Sequence, residues 1–191
     1  MTREKRLYAF VPYQLTGIQK GIQMQHALTE YDDAFGTNED YIDWRQNWKT
    51  TIVLDGGTTN EGITECKYNG ALEKGTMQQF MDLLIENNVK VEGFWEPDLN
   101  NTLTAFVFIA DEPVFNHKDF PFFEQWLDIC LHNMEDTYME YLKYFKNAIP
   151  RTLDDYKKDW KKFYNRWEDE VGGRKNAFLK YFLVNKRLAS N

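Results

Sequence analysis

Gln19, Gln23, His26 and Glu30 recur at the spacing of one helix face, inside a stretch from Gly17 to Tyr31. Amides and an imidazole both donate and accept hydrogen bonds, and the imidazole of His26 can also move a proton near neutral pH. The apolar run Leu7-Tyr8-Ala9-Phe10-Val11 comes just before them. A strand feeding a helix that opens on glycine sets the helix's free N–H groups at the strand's carboxyl end, where α/β proteins place ligands. Met24, Ala27, Leu28 and Tyr31 fall on the opposite side and are the expected core stripe. Two readings stay open here. His26 can be a structural group rather than an acid or base, and Gln23 can bond to a nucleotide or to its own neighbours.

Other residues with chemical capacity are more scattered. Asp55-Gly56-Gly57-Thr58-Thr59-Asn60 follows an apolar run and can cradle phosphate on backbone N–H groups, but it lacks the Lys-Ser/Thr of a phosphate loop and reads first as a plain turn. Lys157, Lys158, Lys161, Lys162 and Arg166 make a basic helix face that suits an RNA backbone or simply faces solvent. Trp126, Trp160 and Trp167 lie on apolar stripes, which points to core packing rather than base stacking. Cys130 sits on an apolar face, and Cys66 has no histidine near it in sequence, so neither has the partner a nucleophilic cysteine needs. No His/Asp/Glu group carries metal-ligand spacing, and no metal or organic cofactor is expected.

The elements that must position these residues follow from periodicity. Arg6–Tyr13 reads as a strand, Gly17–Tyr31 as a helix, and Asn38–Trp48 as a shorter helix with Tyr41, Trp44 and Trp48 on one side. Thr50–Leu54 is a buried strand stopped by Asp55-Gly56-Gly57. After a Thr/Asn-rich loop, Thr76 is expected to cap a helix with Met77, Phe80, Leu83 and Leu84 on its core face. Val89–Trp95 and Leu103–Ala110 are strands joined through the turn Pro97–Asn101. The order β-α-α-β-α-β-β gives an α/β layer with a mixed four-stranded sheet flanked by helices. A helical extension follows: an amphipathic helix from Phe123 to Phe145, a second opened by the capping pattern Thr152-Leu153-Asp154-Asp155, and a basic helix from Arg174 to Leu188. The expected division is 1–115 for the sheet domain and 116–191 for the extension.

Composition narrows the class. Among 191 residues, 16% are aromatic and 28% charged, which describes a folded chain rather than a disordered one. No apolar run approaches the roughly 20 residues of a membrane span. Nothing resembles a signal peptide, and two isolated cysteines suit a reducing cytoplasm, so a cytoplasmic protein is expected. Net charge is −7, yet residues 1–142 hold 10 Lys/Arg against 24 Asp/Glu, and residues 143–191 hold 13 against 6. The first part would repel RNA; the second can attract it or dock on the acidic body.

Element order and two motifs together resemble the type 2 peptidyl-tRNA hydrolase superfamily across roughly residues 6–112. The family's first-helix pattern, Gly-Lys-Gly-Lys…Ala-Gln-x-x-His-Ala, is similar to Gly17-Ile18-Gln19-Lys20-Gly21…Gln23-Met24-Gln25-His26-Ala27. Its Asp-containing turn after strand three, followed by a threonine opening strand four, is similar to Glu96-Pro97-Asp98-Leu99-Asn100 and Thr104. The family's lysine aligns with Gln19; Lys20 follows one place later, an offset of about 100° around a helix. The same motifs resemble sequences of tailed phages, which implies action in a host cytoplasm.

The resemblance implies a mixed four-stranded sheet and hydrolysis of an acyl or peptidyl ester on tRNA. Such a reaction needs an oriented water and a donor for the tetrahedral oxyanion. Asp98 would orient the water, or else only cap its turn. Lys20, or the N–H groups at Gly17 and Gly21, would stabilise negative charge, and Thr104 would position the substrate or the aspartate. Gln19, Gln23, His26 and Asn100 would line the binding pocket. The partner implied is tRNA or a nucleotide. The alternative is a non-catalytic protein on the same scaffold that captures a nucleotide, RNA or a host protein, and a third reading is an oligomeric interaction module, a homodimer among its forms, built on the aromatic helices.

Overall fold

The computed structural model describes residues 3–59, 75–132 and 153–190, with side chains described outside 131–160. By contact density the chain divides into two units, Met1–Glu112 with Phe182–Asn191, and Pro113–Tyr181. The boundary near 115 expected from sequence therefore leaves out one feature, the return of the last ten residues to the first unit. Charge follows the units differently from the linear halves. The first unit holds 11 Lys/Arg against 18 Asp/Glu, and the second holds 12 against 12.

The first unit is built on a four-stranded mixed sheet in the order β2-β1-β4-β3. Its strands are β1 (Lys5–Pro12), β2 (Thr51–Gly57), β3 (Val91–Glu96) and β4 (Thr102–Asp111). β1 and β2 run parallel, while β4 runs antiparallel to both β1 and β3. The carboxyl ends of β1, β2 and β3 and the start of β4 thus share one rim of the sheet. An α/β layer with a mixed sheet is the class expected from the sequence, and it is the class found.

Alternation sorts β1 and β4 onto two faces because strand side chains point to opposite sides in turn. Leu7, Ala9 and Val11 with Ala105, Val107 and Ile109 meet Ala27 and Tyr31 of helix α1 (Gly17–Phe35), together with Tyr41 and Trp44. The other face is aromatic. Phe10 stacks on Phe106 with centroids 4.8 Å apart and meets Phe80 and Phe182 at 5.8 Å each. Phe80 belongs to helix α3 (Thr76–Glu86), which also buries Met77, Met81 and Leu84. Leu83, expected on that face, is exposed instead, since a hundred-degree step from Leu84 carries it off the narrow buried stripe.

Several boundaries differ from the sequence expectation. The short second helix is α2 (Glu39–Asp43) followed by a π-helical turn, Trp44–Trp48, that ends on Lys49 at φ 56°. The widened turn lets the Trp44 indole N–H reach the Thr50 carbonyl at 2.8 Å. Thr76 is not the cap of α3: Gly75 occupies that position, and the Thr76 hydroxyl donates to the Gly56 carbonyl at 2.7 Å.

The second unit contains part of α4 (Glu112–Phe115), α5 (Phe123–His132), α6 (Leu153–Glu170) and most of α7 (Arg174–Leu183). Trp126, Leu127, Trp167, Val171 and Ala177 form its core, with Phe123, Cys130, Phe163 and Tyr164 packed around them. The tryptophans at 126 and 167 are thus core residues, as their stripes imply. Cys130 is half-buried, and desolvation raises its thiol pKa. The expected helix through Phe145 and the capping pattern at Thr152 lie partly outside the described residues, as do Cys66 and the side chains of Lys157, Lys158 and Trp160. The last helix ends at Leu183, five residues earlier than periodicity suggests, because the following residues leave it to pair with β2.

Candidate functional site at the sheet rim

Helix α1 starts at the rim because β1 ends there and only Tyr13–Thr16 separates them. Thr16 caps the helix: its hydroxyl oxygen accepts from the Gln19 N–H at 3.4 Å, and the Gln19 side-chain oxygen accepts from the Thr16 N–H at 3.0 Å. This reciprocal pair satisfies two orphan backbone donors. Gln19, expected to bind a ligand, therefore fixes the helix entrance instead.

One turn further on, Gln23 joins three elements. Its amide nitrogen donates to the Glu96 carboxylate, at the end of β3, at 2.7 Å. Its amide oxygen accepts from the hydroxyl of Thr104 on β4. Thr104 is only 1% exposed and also lies 3.3 Å from the Phe94 carbonyl. His26, one turn beyond Gln23, stacks on the Phe94 ring with centroids 4.6 Å apart. Gln23 and His26 of the polar stripe read from the sequence thus meet the end of β3 and the start of β4, while Gln19 turns to the helix cap.

The corner itself is a 3-10 turn, Pro97–Leu99, followed by Asn100 and Asn101 at φ 59° and 55°. Asparagine tolerates this left-handed backbone better than most residues. Thr102 closes the turn by donating to the Leu99 carbonyl at 2.5 Å. Asp98 and Asn100 are both exposed on this turn. One carboxylate, that of Glu96, reaches the place where Gln23 and Thr104 meet, and Asp98 follows two residues later on the exposed turn.

Lys20 is the main departure from expectation. It is 6% exposed, and its ammonium donates to the main-chain carbonyl of Ser190. The offset visible in the sequence explains this: Lys20, Ala27 and Tyr31 are the buried residues of α1. The one-place shift turns the cation inward, away from the polar stripe.

The Gly-rich turn after β2 is also committed internally. The Gly57 N–H donates to the Asp55 carboxylate at 2.8 Å, and the Thr58 N–H donates to the Thr76 hydroxyl at 2.7 Å. Thr59 is buried and donates to the Leu103 carbonyl. With these groups already satisfied, the described residues of the turn tie β2 to α3 and β4, and the Gly57 and Thr58 N–H groups are bonded internally rather than open to a phosphate. On α6, Lys161, Lys162 and Arg166 are exposed, and Arg166 pairs with Glu170 at 3.4 Å.

Sequence reasoning assigned no role to Glu96, Phe94 or Ser190. Glu96 carried one usable signal, a carboxylate at a strand end immediately before proline. Among the described residues, no group of His, Cys, Asp and Glu side chains is arranged to hold a metal ion, and no helix is long and apolar enough to cross a membrane. The chain matches no family model and no curated protein.

Proposed function

We propose that the rim site hydrolyses an acyl or peptidyl ester carried by tRNA, in the cytoplasm of a host cell. The observation that carries this reading is the Gln23 amide held between Thr104 and Glu96, at the foot of the turn that exposes Asp98. Asp98 orients the attacking water and accepts its proton. Gln23 and Thr104 position the ester, with His26 and Asn100 lining its path. Lys20 is spent on a main-chain carbonyl, so the developing oxyanion is assigned to the first-turn N–H groups of α1 at Gly17 and Ile18, aided by the helix dipole. No metal or organic cofactor enters this scheme.

The test is release of N-acetyl-aminoacyl groups from tRNA by the purified chain. Asp98→Ala is expected to lower kcat about 10²–10⁴-fold, the usual contribution of a positioned base, while the far-UV spectrum stays unchanged. Release no faster than the uncatalysed background would end the enzyme reading.

A second reading is supported by the buried Lys20 and by the acidic balance of the first unit, 11 Lys/Arg against 18 Asp/Glu. On that reading the same rim binds without turnover, capturing a nucleotide, RNA or a host protein. Saturable binding of tRNA at the rim with no ester cleavage distinguishes it.

A further inference from the structure

β2 lies at one edge of the sheet, so half of its main-chain groups face away from β1. The chain covers them with its own segment Arg187–Ser190. The Asp55 N–H donates to the Arg187 carbonyl at 2.9 Å, the Ala189 N–H donates to the Val53 carbonyl at 3.0 Å, and Leu188 bridges antiparallel to Leu54. The next carbonyl, that of Ser190, receives the ammonium of Lys20.

The segment is recognised almost entirely through its backbone. Leu188 is 70% exposed, and Arg187 and Ser190 are exposed as well; only Ala189 packs against the core. Two main-chain hydrogen bonds and one ammonium–carbonyl contact therefore hold four ordered residues, with little apolar burial to offset the lost chain entropy. Such a strap exchanges readily with a competitor that offers the same backbone pattern and a better partner for the lysine. A carbonyl oxygen carries only partial charge, whereas a carboxylate at that place would complete a charge-assisted pair with a cation removed from water.

We propose that the β2 edge and Lys20 form a groove for an extended peptide that ends in a free α-carboxylate, with Arg187–Ser190 as its resident stand-in. The peptide adds a strand to β2 by backbone pairing, and Lys20 takes the carboxylate where the Ser190 carbonyl now sits. Selectivity falls on the terminal carboxylate and not on side chains. This groove does not require the rim to hydrolyse anything, and its test reads binding alone.

The probe is fluorescein-labelled Lys-Arg-Leu-Ala-Ser, prepared as the free acid and as the C-terminal amide, and binding is read by fluorescence polarisation. The full chain carries Ala189→Pro, which removes the N–H that donates to Val53. A second variant, Ala189→Asp, dislodges the strap by placing charge against the core. In either folded variant the acid is expected to bind at least tenfold more tightly than the amide, and that preference should vanish when Lys20→Met is added. In the unaltered chain, where the tethered strap competes at high effective concentration, the acid should bind at least tenfold more weakly than in the variants. Equal binding of acid and amide, or no binding of the acid at millimolar peptide by either variant, overturns the proposal.

Discussion

Replacing Gln23 with methionine removes one amide from the junction of α1, β3 and β4 while nearly preserving length and volume. Two hydrogen bonds disappear. The Thr104 hydroxyl, 1% exposed, loses its acceptor and keeps only the 3.3 Å contact to the Phe94 carbonyl. Reducing a buried hydroxyl to one long hydrogen bond in this way costs about 1 kcal/mol. The bond to Glu96 is charge-assisted but half-exposed, so water replaces much of it and its loss adds about 0.5–1 kcal/mol. The expected loss for Gln23→Met is then about 1.5–2 kcal/mol. Thr104→Val alone removes the hydroxyl and frees the Gln23 oxygen to find water, for about 1 kcal/mol. Because both changes break the same bond, the double variant should lose about 1 kcal/mol less than the two single losses together. Urea unfolding followed by near-UV circular dichroism, at one pH and for all four chains, measures this coupling. Losses that add to within 0.3 kcal/mol would refute the claim that Gln23 and Thr104 act as one unit.

A pH titration tests the buried lysine of the second unit. Lys180 is fully buried, donates to the carbonyls of Pro113 at 2.7 Å and Phe120 at 2.5 Å, and burial holds its pKa down to about 8. Between that value and the unfolded value of 10.5 the unfolded chain binds more protons, so stability should rise with pH from about 8 toward 10. Above that window Tyr181 opposes it: partial burial and Glu124 push this 39%-exposed phenol up to about 12, so its contribution is lost as pH passes from 10 upward. Lys180→Met should flatten the rise in thermal unfolding measured from pH 7.5 to 9.5. At the entrance of α1, Thr16→Ala breaks the reciprocal cap and should lower stability by about 1 kcal/mol in urea unfolding.

Much of the sheet unit was legible because its strands and helices carry strong, distinct periods. The apolar runs Leu7–Val11 and Leu103–Ala110 were enough to place two buried strands, and the stripe Ala27–Tyr31 to give the core face of α1. The meeting of Gln23 with the β3–β4 corner followed from element order, since a helix entered from β1 begins at the rim where β3 ends. What escaped was either local chemistry read for the wrong purpose or contact between distant segments. Thr16-Gly17-Ile18-Gln19 has capping-box spacing, which was enough to assign Gln19 to the backbone before any ligand. The inward turn of Lys20 was visible as a 100° offset, but its acceptor was not. Ser190 lies 170 residues away, and nothing in Arg187-Leu188-Ala189-Ser190 signals a strand, because a segment bound through its backbone needs no side-chain pattern.

The shared premise of both functional readings is that the rim between the α1 entrance and the β3–β4 turn is where a substrate or ligand sits. Two-dimensional ¹⁵N–¹H spectra of the Asp98→Ala chain, recorded while N-acetyl-aminoacyl-tRNA is added, test it most directly. Shifts confined to Gly17–His26 and Glu96–Thr104, with the Gln23 side-chain amide among the largest, are the predicted result. Unmoved rim resonances at saturating tRNA, or shifts gathered only on α6, would contradict it for tRNA and end the hydrolase reading.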